Sequence, residues 1–205
     1  MAEKLKLTRP ELKRQRDALK RFQRYLPMLK LKQQQLQLTI RQIEKERQQA
    51  IKEEEAARAK FERYQEILND VAGVDIRALA AFADIKTSEM NIAGVAIPVF
   101  EDVTFPDANY SLFATPAWVD AALFDLREVN RRKAVLEVLL RQHELLDREL
   151  TKIIQRVNLF EKVKIPEAKE SIRRIRIQLG DEMASAVGRA KIAKGKLTEE
   201  ASQAS

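Results

Sequence analysis

Residues 12–71 read LKRQRDALKRFQRYLPMLKLKQQQLQLTIRQIEKERQQAIKEEEAARAKFERYQEILNDV. Leu12, Leu19, Leu26, Ile40, Phe61 and Leu68 share one seven-residue register. Phe22, Leu29, Leu36, Ile43, Ala50, Ala57, Tyr64 and Val71 share a second, offset by three. Apolar residues that alternate every three and four positions have a mean period of 3.5, the coiled-coil period. Only Gln15, Gln33, Arg47 and Glu54 break the pattern. A single helix over this stretch would span about 90 Å at roughly 1.5 Å per residue. Few globular domains need a helix that long, so the pattern predicts a rod whose function lies in what it connects.

The ends of this helix carry their own signals. Thr8 with Glu11 three residues later has the form of a capping box, and Pro10 is tolerated in the first turn. The expected stop lies at Val71, Ala72 and Gly73, where glycine can take the left-handed cap. Pro27 lies inside the span, lacks a backbone donor and crowds the preceding turn. The register continues across it, which predicts a bend rather than a break.

Residues 74–84 are alanine-rich and predict a short helix. Residues 86–92 and 95–100 have strand-like content around Ala93 and Gly94, the pattern of a β-hairpin with a glycine turn. Pro98 confines the second arm to an edge. Residues 101–114 read as loop. Thr115 is the expected N-cap of a second long helix, with Pro116 at its first position and Asp120 near its positive end. Along that helix Leu139, His143, Leu146, Leu150, Ile153, Val157 and Phe160 step by fours and threes. Pro166 interrupts, and Ala168, Ile172, Ile175, Leu179, Ala186, Ala190 and Ala193 resume the seam. Gly180, Gly188 and Gly195 weaken its last stretch.

The expected organisation is therefore a first helix over residues 8–72, a connection over 73–115, a second helix over 116–197 and a flexible tail over 198–205. The simplest packing is an antiparallel pair, with Val71 near Val119 and Leu12 near Leu179. Each buried seam leucine contributes roughly 1.5–3 kcal/mol, less along the wet flanks of a two-helix rod. The fold class is all-α: a long antiparallel two-helix coiled-coil hairpin with a small β-hairpin and loop region at the connecting end.

Composition agrees. Charged residues make up 34% of the chain, above the usual value of about 25%, and there are only five glycines. The absence of cysteine excludes disulfides, thiolate zinc sites and cysteine nucleophiles, and fits a reducing compartment. No uncharged apolar run is long enough to span a membrane, and no secretory signal opens the chain. Residues 1–60 hold 17 Lys/Arg against 8 Asp/Glu, residues 61–116 hold 3 against 9, and residues 117–205 hold 18 against 14. An antiparallel pair would thus have a basic pole at its termini and an acidic pole at its connection.

Residues that carry chemistry are sparse. No glycine-rich phosphate loop occurs. His143 is the only histidine and falls on the second seam, where a lone polar residue sets register. Glu53, Glu54 and Glu55 point in different directions on a helix and form no carboxylate pair. No catalytic residue, cofactor site or metal site is expected. The basic clusters are more informative: Lys13, Arg16 and Lys20 with their neighbours in the first helix, and Arg173, Arg174, Arg176, Arg189 and Lys191 in the second. They fit a nucleic acid or a protein with an acidic rim. Aromatic residues are limited there to Phe22 and Tyr25, which disfavours stacking on single strands. A membrane-surface or scaffold coiled coil is a third reading.

The segment Ile154 to Pro166, IQRVNLFEKVKIP, resembles the Arg-Val-Asn-x-x-Glu…Ile-Pro signature of the D subunit of the V-type (vacuolar and archaeal-type) ATPases/ATP synthases. The stretches LKLKQQQL from Leu29 and NIAGVAIP from Asn91 are similar to that family's early motif and central hairpin. The resemblance covers nearly the whole chain and implies a non-catalytic central rotor stalk. Its paired termini would enter the catalytic hexamer of A and B subunits, placing Lys13, Arg16, Lys20, Arg173, Arg174, Arg176, Arg189 and Lys191 against it. The distal region would bind the F subunit and the cap of the membrane ring. Arg156, Val157, Asn158, Glu161, Ile165 and Pro166 would be the motif residues facing rotor partners. It further implies a cytoplasmic location peripheral to the membrane, no direct membrane insertion, no nucleic acid partner and no cofactor.

Overall fold

The computed structural model describes residues 5–64, 74–111 and 115–203. In chain order these form helix α1 (Arg9–Phe61), a 3-10 turn (Glu62–Tyr64), helix α2 (Ile76–Ala80), strands β1 (Asp84–Ile92) and β2 (Val95–Thr104), helix α3 (Trp118–Asn158), a π-helical segment (Leu159–Lys164) and helix α4 (Ile165–Gln203). The fold is a helical hairpin with one small antiparallel sheet. The chain divides into two compact units: a central one (Lys32–Ile153) and a terminal one (Met1–Leu31 with Ile154–Ser205).

In the central unit one register of α1 forms the core. Leu36, Ile43, Ala50 and Ala57 are all buried, seven residues apart. Members of the other register flank them: Gln33, Ile40, Arg47 and Phe61 are half-buried. Half-burial leaves the polar ends of Gln33 and Arg47 near water, whereas Glu54 on the same register is buried. Arg47 reaches outward and makes a bidentate pair with Glu44 (2.9 and 2.8 Å). The buried positions of α3 are Val129, Ala134, Val138, Leu139, Gln142, Leu146 and Ile153. Ion pairs Arg132–Glu53 and Lys32–Glu149 show that the two helices run antiparallel. A second cluster, Ile76, Ala80, Val119, Ala122 and Leu123, packs with Phe61, Tyr64, Tyr110 and Trp118.

The hairpin forms around Ala93 and Gly94, both at positive φ (52° and 79°). Two consecutive left-handed residues twist the chain in the sense that antiparallel strands need. Asn91 Oδ1 accepts the Gly94 N–H at 2.8 Å and locks the turn. β2 lies along α3: Gln142 donates to the Pro98 carbonyl (2.6 Å), and Asp102 pairs with Arg131 (3.1 Å). Pro98 therefore stands on a strand with no third neighbour, as its missing N–H requires.

In the terminal unit α1 and α4 are again antiparallel. Phe22 meets Phe160 with ring centroids 5.1 Å apart, Lys30 pairs with Glu161, and Leu12 lines one groove with Leu179. Val157, Ala168, Ile172 and Ile175 are buried.

Several details depart from the sequence expectations. α1 ends at Phe61 and tightens into a 3-10 turn; the expected stop at Gly73, and the expected neighbourhood of Val71 and Val119, lie outside the described residues. In line with the expectation of no break, the helix continues through Pro27. Residues 101–104 belong to β2 rather than to a loop, because Glu101 bulges out between the pairs Thr87–Phe100 and Lys86–Asp102 and lets pairing continue to Thr104. Glu11 does not reach back to Thr8; it accepts from Arg14 and Gln15. The Thr115 hydroxyl donates to the Ser111 carbonyl, and α3 starts only at Trp118. The second helix is not uniform but carries the π segment before Pro166, and α4 continues to Gln203, beyond the end of the apolar pattern.

The core assignment predicts unequal losses on one helix. Leu36 is fully buried, and Leu36→Ala should cost about 2–5 kcal/mol. Leu38 is 65% exposed, and Leu38→Ala should stay within about 0.5 kcal/mol. Chemical denaturation of the full chain measures both, and equal losses would contradict the register.

Candidate functional site

Charge distinguishes the two units. The terminal unit holds 21 Lys/Arg against 10 Asp/Glu, a net +11; the central unit holds 17 against 21, a net −4. Lys13, Arg16 and Lys20 step by three and four along α1, so they share one face. All three are exposed and line a single groove with Leu12, Leu179 and Met183. None has an ion-pair partner among the described residues. Such cations remain available to an incoming surface.

On α4 the basic residues behave differently from one another. Arg173 and Arg174 both hold Glu170 (2.9 and 3.1 Å). Hydrogen bonds from Arg173 and then Arg174 lower the Glu170 pKa. Arg176 is exposed and makes no ion pair among the described residues. Arg174 lines a separate groove with Leu5, Leu7 and Ile177. Arg189 and Lys191 stand further along, where every residue from 180 to 196 is exposed. That stretch also presents Met183 (59% exposed), Val187 (67%) and Ile192 (64%). The structure thus gathers Lys13, Arg16 and Lys20 and sets Arg173, Arg174 and Arg176 on the paired part of α4. Arg189 and Lys191 lie on its exposed extension.

The motif residues lie at the junction of α3, the π segment and α4. Val157 is buried; Arg156, Asn158 and Pro166 are exposed; Ile165 is half-buried. Glu161 is occupied by Lys30 at 2.6 Å. Within this unit Glu11 is buried and accepts hydrogen bonds from Gln15 and Arg14, which lower its pKa.

Other residues with architectural roles were not evident from sequence. Arg127 donates to the Leu79 carbonyl through Nε and a terminal nitrogen (3.2 and 3.1 Å) and also to the Pro106 carbonyl. Its guanidinium lies 5.3 Å from the Phe105 ring centroid. Asn130 donates to the Ala80 carbonyl at 2.7 Å. Together they tie α2 and the segment after β2 to α3. One signal pointed to Arg127: positions 123, 124, 130 and 131 carry no acid, so it has no partner on its own helix. No described helix is long and apolar enough to cross a membrane.

The family described as the D subunit of ATP synthase matches residues 11–195. The V-type ATP synthase D subunit of Borreliella burgdorferi is 40% identical over 197 residues, covering 95% of both chains. Proteins of the same description from Chlamydia caviae and Chlamydia pneumoniae are 34% and 33% identical, covering 96% of this chain and 95% of theirs.

Two outcomes follow from the polar contacts. Arg127→Ala leaves the Leu79 and Pro106 carbonyls without their donor and should cost about 1–3 kcal/mol; Arg127→Lys, which cannot donate in parallel, should recover only part. Full stability in Arg127→Ala, by denaturant titration, would remove the anchoring role. Glu11, Glu44 and Glu170 all have pKa values lowered below their ordinary 4.5. A lowered carboxylate stabilises the fold above its unfolded-state pKa and loses that effect as pH falls through its folded-state value. The melting temperature should therefore hold from neutral pH to about 5 and decline below 4.5, less so in Glu11→Gln.

Proposed function

The chain belongs to the D-subunit family of ATP synthases and is a subunit of a V-type ATP synthase, and from that premise we propose that it is the complex's central rotor shaft. In this role it transmits torque between the catalytic hexamer of A and B subunits and the membrane ring that moves ions. It carries no catalytic residue, and ATP chemistry belongs to the hexamer. The F subunit and the cap of the ring are its other partners. It sits peripheral to the membrane on the cytoplasmic side.

The observation that carries the reading is the exposed stretch of α4 over residues 180–196, with Arg189 and Lys191 outward. A helix exposed over this length that still keeps apolar residues such as Met183 and Val187 is suited to a sleeve supplied by other subunits. Cations such as Arg189 and Lys191 attract acidic rims at long range without fixing one register, which suits a surface that must slide. Ala184, Ala186, Gly188, Ala190 and Ala193 keep the helix slim where such a sleeve is narrow.

The complete chain should co-purify with A and B subunits at low salt, and the association should weaken steeply as salt rises. Arg189→Glu with Lys191→Glu should weaken it about 5–30-fold, the effect of losing two rim charges and placing two of opposite sign. Ala186→Leu with Ala190→Leu should hinder assembly or ATP-driven rotation while leaving the melting temperature unchanged. Absence of co-purification at low salt would sink the rotor reading; normal rotation in the leucine variant would sink the slim-tip reading.

A further inference from the structure

Two irregularities face each other in the terminal unit. On α1, Pro27 has no N–H for the Gln23 carbonyl, and its ring crowds that carbonyl. Opposite it the chain widens into the π segment. The Ile165 N–H bonds to the Phe160 carbonyl, five residues back rather than four. The neighbouring Pro166 explains the widening. In a regular helix its ring would press on the Lys162 carbonyl, and a π turn moves that carbonyl away. Phe22 meets Phe160 and Lys30 meets Glu161, so Pro27 lies between two α1 residues whose partners both belong to the π segment.

The π turn also has a sequence cause. Phe160 and Ala168 are eight residues apart, where the seam's repeat calls for seven. A single π turn absorbs one extra residue and returns Ala168, Ile172 and Ile175 to the buried face. The turn is therefore held in place by packing on both sides, yet its own packing is thin. No residue from 158 to 167 is buried, and none from 12 to 31 on α1. Among the described residues, one tilted ring pair and one exposed ion pair cross between the helices there, and the apolar residues beside them are only half-buried. Few buried side chains and an interrupted hydrogen-bond ladder are the marks of a segment that opens easily.

We propose that the pairing of Pro27 with the π turn at Leu159–Lys164 is a torsionally soft segment built into the helix pair, at which the chain twists while the buried seams stay closed. This use rests on the rotor reading above; the softness does not. A shaft driven in steps at one end and loaded at the other needs a place where twist accumulates without unpairing. An α-helix of unbroken ladder offers none.

Hydrogen exchange on the full chain tests the softness directly. Amides over 24–31 and 160–165 should exchange about tenfold or more faster than those over 168–178. Deleting Val163 restores the seven-residue spacing. Combined with Pro27→Ala and Pro166→Ala, it should bring both segments to the protection of their neighbours. Pro27→Ala alone, which leaves the π turn in place, should slow only the α1 side. Uniform protection in the natural chain, or unchanged exchange in the triple variant, would overturn the proposal. In the reassembled complex the triple variant should show a narrower angular spread of a probe on the rotor within each pause; an unchanged spread would overturn the use of the segment for twist. If the natural chain does not assemble with the hexamer, the rotor reading fails and the exchange result still decides the softness.

Discussion

A helix of fifty-three residues is not positioned by its own backbone bonds; it needs a neighbour along one side for its whole length. In the central unit that need is met by one line of residues, Leu36, Ile43, Ala50 and Ala57, buried against α3. The rest depends on that contact. Because α3 is fixed to α1, its other positions are free to hold additional elements. Gln142 and Arg131 hold β2, Arg127 and Asn130 hold α2, and Arg132 closes the far side on Glu53. The outward faces of both helices are then left for charge. Helical backbone satisfies its own polar groups, so these faces carry Lys, Arg and Glu at little cost to the fold.

The parts read correctly from sequence are those governed by short-range periodicity. The seven-residue repeat named both long helical stretches, and the compact connection between them pointed to their antiparallel pairing. Ala93 and Gly94 named the hairpin turn. The parts missed depend on partners distant in sequence. β2 continues past Glu101 because a single bulged residue restores pairing with Ile85, which no alternation of polar and apolar residues reveals. Thr115 has the right chemistry for a cap, but its hydroxyl finds the Ser111 carbonyl first. Gln33, Arg47 and Glu54 interrupt the apolar seam, which suggests loose packing or contact with another subunit. Gln33 and Arg47 are half-buried, with Arg47 paired to Glu44, whereas Glu54 is buried. The π turn was legible in principle, since the spacing from Phe160 to Ala168 is one residue too long, but Pro166 is the more conspicuous signal and points only to an interruption.

The basic cluster was visible from composition, whereas its division was not. Arg173 and Arg174 are committed to Glu170, and Lys30 to Glu161, while Lys13, Arg16, Lys20, Arg189 and Lys191 make no ion pair among the described residues. The second group, with Arg176, can meet another surface without first breaking an ion pair seen among the described residues. In the proposed rotor role, the cross-helix pair Lys30–Glu161 would brace the helix pair, and the unpaired cations would be the ones offered to the bearing. The same unit is where buried side chains are fewest, so it combines a surface for partners with a backbone that can yield.

The central claim is that this chain turns. The sequence contains no cysteine, so Lys133→Cys, at an exposed position of α3, would give a single attachment point for a visible probe. With the A and B subunits immobilised and ATP supplied, the account predicts continuous rotation of the probe in one direction, at a rate that follows ATP hydrolysis. A probe that stays fixed while the assembled complex hydrolyses ATP would contradict it.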